Sequence, residues 1–149
     1  MNRLISNLLF AALFVFGSVQ AQELPDYITE RSSEFTLKVE GLKESKGEVR
    51  IAVFNSENKY TKEPVYAVVL PVENKEIEWV VPDLPFGEYA IAVYHDKNMN
   101  GKLDTNFLGI PKENYGFSNN ARGRFGPASW KEAKFVIQEK STVHKIVIK

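Results

Sequence analysis

The chain has 149 residues, 19 basic and 19 acidic, with two histidines and no cysteine. Overall neutrality removes the electrostatic case for nucleic acid or an anionic membrane as a partner. Without cysteine there is no disulfide and no lipid-modified cysteine, so burial, aided at most by an ion, must hold the fold.

The first 21 residues read as a cleaved export signal. Arg3 precedes an unbroken apolar run over 8–15, and Val19-Gln20-Ala21 offers small residues at the cleavage positions. The apolar run is shorter than the roughly 20 residues that span a bilayer, so no stable membrane insertion is expected after cleavage. The remainder, 22–149, has 128 residues, 18 of them basic and 19 acidic. That is the size of one domain with a real core, expected in the periplasm or outside the cell.

Polar residues 22–33 form a lead, and alternation follows. Phe35, Leu37 and Val39 repeat every second residue, as do Val49, Ile51 and Val53 within 48–54, the period of a half-buried strand. Further strands are expected at 66–72 and at 76–81, where Ile77, Trp79 and Val81 share a face. Asp83-Leu84-Pro85-Phe86-Gly87 reads as a turn. The strand at 88–94 is apolar on both parities and therefore central, and the last two fall at 134–137 and 143–148. About seven strands without a helical period predict an all-β fold, a single antiparallel Greek-key β-sandwich. The exception is 105–130, a long loop rich in glycine and aromatic residues, in which Ser129 and Glu132 have the spacing of a capping box.

The central strand runs into His95-Asp96-Lys97-Asn98-Met99-Asn100-Gly101-Lys102-Leu103-Asp104. Asp96, Asn98 and Asn100 alternate and a glycine follows, the first half of a calcium loop. A hard cation needs six to eight oxygens around one point, and alternate residues of a curled loop can supply them. Asp96, Asn98, Asn100 and Asp104 would offer side-chain oxygens and Lys102 its carbonyl. The twelfth position, normally glutamate, is Phe107, so the missing carboxylate must come from Asp104 or from Glu113. The expected ion is calcium, held weakly and in a structural role. A plain hairpin turn at Asn100-Gly101 is the competing explanation.

Other chemistry is sparse. His95 could be a general base or a strand-end histidine, but the nearest serine, Ser118, lacks the glycine two residues on that a nucleophile elbow requires. His144 reads as structural. In the long loop, Tyr115, Phe117, Phe125 and Trp130 with Asn119, Asn120 and Arg122 could form a platform for a sugar, peptide or protein. The competing explanation is a lid whose aromatics plug the end of the sandwich.

Four segments in order, Asp83 through Ala90, His95 through Asn106, Gly109 through Glu113 and Tyr115 through Asn120, resemble an exported bacterial family called domain of unknown function 2141. The resemblance covers nearly all of 22–149. It implies a β-sandwich similar to transthyretin-like regulatory domains and carries no established activity. Met99 stands where that family more usually has glycine. The reading is an exported binding or assembly module with a structural calcium loop. The alternatives are a metal-assisted hydrolase using His95 and a calcium-free interaction domain.

Overall fold

A computed structural model of the chain describes residues 31–149. The export signal expected at 1–21 lies outside the described residues. The strands are β1 (Ser32–Glu40), β2 (Glu48–Phe54), β3 (Tyr66–Pro71), β4 (Ile77–Pro85), β5 (Gly87–Asp96), β6 (Tyr115–Phe117), β7 (Phe135–Ile137) and β8 (Ser141–Val147). One sheet has the order β4-β1-β8; the other runs β3-β2-β5-β6, with β7 also paired to β5. The architecture is an all-β sandwich.

Side-chain parity builds it. Phe35, Leu37 and Val39 of β1 meet Val49, Ile51 and Val53 of β2 between the sheets, all essentially inaccessible. Fully burying a side chain of this size is worth roughly 1.5–3 kcal/mol, so this seam is a substantial part of the core. In β5 the odd positions Tyr89, Ile91 and Val93 join the same core, which leaves the even positions on the outer face of the second sheet. There a second cluster forms from Phe54, Ala90, Tyr60, Phe117, Trp130 and Ala133. Ala90, with Ala52 and Ala92 packed beside it, is small enough for a covering segment to settle on the sheet.

Three expectations need correction. The sandwich is not wholly antiparallel: β1 and β8 pair in parallel, with Leu37 opposite His144. The turn expected at Asp83 to Gly87 is mostly strand, because β4 continues through Pro82 and Pro85. It can do so because β4 is an edge strand and its ladder with β1 is irregular between Ser33 and Phe35, and edges and bulges are where proline is tolerated. The loop 105–130 is not structureless either. It contains β6 and a 3₁₀ turn at Ser118–Asn120, and ends at α1 (Trp130–Ala133). The Ser129–Glu132 capping box is formed. Among the described residues no helix is long and apolar enough to cross a membrane.

Candidate functional site

The parity that builds the core also separates His95 from Asp96. His95 is odd and points between the sheets, 0% exposed, with Nε2 2.7 Å from the Lys46 carbonyl oxygen. Asp96 is even and points to the outer face, where Arg50, also even in its strand, meets it: Arg50 Nε donates to Asp96 Oδ2 at 2.8 Å. The other Arg50 arm donates to Glu48 Oε2 at 3.0 Å. Burial alone would push the Asp96 carboxyl up. Hydrogen bonds from Gly101, Arg50 and Asn100, with the Arg50 charge, outweigh that and hold it below its ordinary value.

The loop then curls around Asp96. Asn100 N donates to Asp96 Oδ1 at 3.0 Å and Gly101 N to Asp96 Oδ2 at 2.8 Å. Asn98 Oδ1 accepts from Asn100 N at 3.1 Å, and Asn100 Oδ1 from Lys102 N at 2.8 Å. The free ends of both carboxamides converge on Asp104, Asn98 Nδ2 at 2.8 Å and Asn100 Nδ2 at 3.0 Å. Four of the expected side chains, Asp96, Asn98, Asn100 and Asp104, are therefore brought into one turn, with Lys102 contributing backbone to it. Gly47 supports the turn from below: its φ is +76°, and a Cβ there would collide with the Asp96 carbonyl.

Glu113, the residue considered as the missing ligand, does reach the loop, but as a hydrogen-bond acceptor. Its Oε1 takes Lys97 N at 2.8 Å and its Oε2 takes Asp104 N at 3.0 Å, so one carboxylate ties the first and last parts of the loop together. Among the described residues no three His, Cys, Asp or Glu side chains gather tightly enough to hold a metal by themselves. A cation here would depend on the carboxamide oxygens together with Asp96 and Asp104. The carboxamides now present their nitrogens to Asp104 and would have to turn to share an ion with it. The donor set would be all oxygen, each carboxamide oxygen spends one lone pair on a backbone amide and keeps a second, and Arg50 already offsets part of the Asp96 charge.

The aromatic loop divides into a structural part and an open part. Asn119 Nδ2 donates to the Glu132 and Lys134 carbonyls, Asn120 Oδ1 accepts from Val147 N, and Arg122 donates to the Tyr115 and Val147 carbonyls. These three residues spend polar groups on tying the loop to β6, β8 and the start of β7. Ser118 is equally committed: buried, it accepts from Ile91 N and donates to the Ala133 carbonyl. Trp130 and Phe117 close over the second cluster, whereas Phe125 does not. Tyr115 and Phe117 instead share a groove of about 690 Å³ with Leu103, Leu108, Ile110 and Phe125. Reasoning from sequence included Phe125 in the platform but passed over Leu103, Leu108 and Ile110, and over Arg50 and Gly47. The apolar string Phe107-Leu108-Gly109-Ile110, in a segment with no strand or helix period, was the available signal.

The molecule is thus a β-sandwich that carries a self-bonded Asp/Asn loop and an apolar groove on one outer face. Residues 37–145 match the family described as "Uncharacterized protein conserved in bacteria (DUF2141)", and the chain belongs to that family. No curated protein and no solved structure matches it.

Proposed function

We propose that this chain is an exported binding module in which the 96–104 loop is a calcium-taking fastener and the groove beside it receives the ligand. The supporting observation is the placement of Glu113. Its carboxylate clasps the loop at Lys97 and Asp104, and two residues later the chain enters β6, whose Tyr115 and Phe117 line the groove. Stiffening the loop therefore stiffens the groove.

Asp96, Asn98, Asn100, Asp104 and the Lys102 carbonyl would hold the ion, which supplies positive charge against two carboxylates. With one of these already paired to Arg50, affinity belongs in the 10⁻⁴–10⁻³ M range, roughly that of extracellular modules. The lining favours a ligand with an apolar body over a bare sugar, since the carboxamides of Asn119 and Asn120 are engaged elsewhere. A hydrolase built on His95 gains nothing from this geometry, because substrate cannot reach a ring wholly enclosed by the sandwich.

The groove is tested with an anionic naphthalene-sulfonate dye on the folded protein. One saturable site is expected. Leu108→Ser combined with Phe125→Ser should weaken it by about tenfold, or ~1.4 kcal/mol, with near-UV circular dichroism and melting temperature unchanged. Absence of binding to the wild type, or equal binding to the variant, would contradict the groove reading.

A further inference from the structure

We infer that the groove and its rim form a docking surface for an anionic phospholipid bilayer. The inference rests on the reading of the groove as the ligand-facing element and names the chemistry of its occupant.

The first observation is an apolar tip held in a fixed frame. Thr105 and Pro111 form a β-bridge at its base. Above it, Asn106 N donates to the Ile110 carbonyl at 2.8 Å and Gly109 N to the Asn106 carbonyl at 2.9 Å. The Asn106 side chain accepts from Leu108 N at 2.9 Å and Ile110 N at 3.0 Å. These bonds hold the apex in one conformation, and the apex is Phe107, 95% exposed, beside Leu108. Across the groove Phe125 is 96% exposed. A lone surface apolar side chain is ordinary, but several around one apolar groove mark an interaction site.

Charge identifies the partner. Within 105–130 the only acidic residue is Glu113, which is buried and engaged by backbone amides. Asp104, just before this segment, is capped by the Asn98 and Asn100 amides. The basic residues of the segment are Lys112, Arg122 and Arg124, and none of them is in an ion pair with another described residue. Arg124 lies over the Phe125 ring at 5.9 Å. Protruding aromatic and aliphatic side chains flanked by cations match the layering of a bilayer surface, with lipid phosphates outside and acyl chains beneath. An apolar contact and a cationic contact are each marginal alone, and together they give stable, reversible attachment.

The test uses the chain from Gln22 onward, so that the apolar run at 8–15 cannot itself partition, in co-sedimentation with lipid vesicles. Binding is expected to phosphatidylcholine vesicles containing phosphatidylglycerol. It should be about tenfold weaker on phosphatidylcholine alone and weaker again in high salt. Phe107→Ser with Phe125→Ser should lose about tenfold or more, as should Lys112→Glu with Arg124→Glu, at unchanged melting temperature. The proposal is overturned if the wild type fails to pellet with anionic vesicles at low salt, or if both variants pellet as it does. Dye binding in the groove without vesicle binding would leave the groove reading standing and reject the lipid surface.

Discussion

Met99 holds a conformation that its side chain disfavours. Its φ is +57°, in the left-handed region, between the two asparagines whose carboxamides meet Asp104. The side chain is largely exposed and packs on neither core cluster, so nothing visible offsets the strain. A glycine would adopt this φ freely at the cost of a more mobile unfolded chain. Met99→Gly should therefore stabilise the protein by about 0.5–1 kcal/mol, read from urea unfolding at constant slope; a loss of stability would show that the methionine makes a contact worth more than the strain. The family pattern marks this residue as unusual, since glycine is more common there, without saying why. Backbone handedness, a positive φ, is the reason. Arg50 was hidden for a different reason: strand period predicts its face, while its meeting with Asp96 depends on the register between β2 and β5, which period does not contain.

Strand identity was legible wherever alternation was strong, and β2 begins and ends where the pattern does. β6 was not, because it is three residues long with glycine at its centre. Gly116 is needed there because a Cβ would press on the Ile146 side chain, so the feature that hides the strand also lets β6 approach β8. The parallel pairing of β1 with β8 was equally invisible, since parallel and antiparallel edge pairings share one period. β8 also carries a pH-sensitive joint. The His144 ring stacks on Phe135 at 4.2 Å, and its Nε2 accepts a hydrogen bond from Asn119 N at 3.1 Å. Burial pushes its pKa below the ordinary histidine value, and an acceptor nitrogen must be unprotonated. As pH falls through about 6.5, the unfolded chain takes up a proton that the folded ring resists, so stability present above that pH is lost below it. Melting temperature should drop between about pH 7 and 5, and His144→Gln should flatten part of the drop. Equal slopes in the two proteins would contradict this role.

At the scale of the whole molecule, equal numbers of acids and bases conceal where they lie. Neutrality led the sequence reading away from anionic surfaces, yet the exposed charge within 105–130 is entirely basic, because its one carboxylate is spent on the clasp. That Asp96, Asn98, Asn100 and Asp104 share one turn was legible in their spacing, but not that the carboxamides turn their nitrogens to Asp104 and their oxygens to backbone amides. The groove beyond it depends on where a loop comes to rest, and no local pattern encodes that. A loop that takes calcium would fasten the groove to the sandwich and so raise the stability of the whole domain. The most direct measurement is the melting temperature of the wild type and of Asp104→Ala in millimolar calcium and in excess chelator. A ligand at 100 times its dissociation constant stabilises by roughly 2.7 kcal/mol, which for a domain of this size is a rise of several degrees. The wild type should show that rise and Asp104→Ala should lose it; superimposable wild-type curves with calcium and with chelator would rule the calcium fastener out.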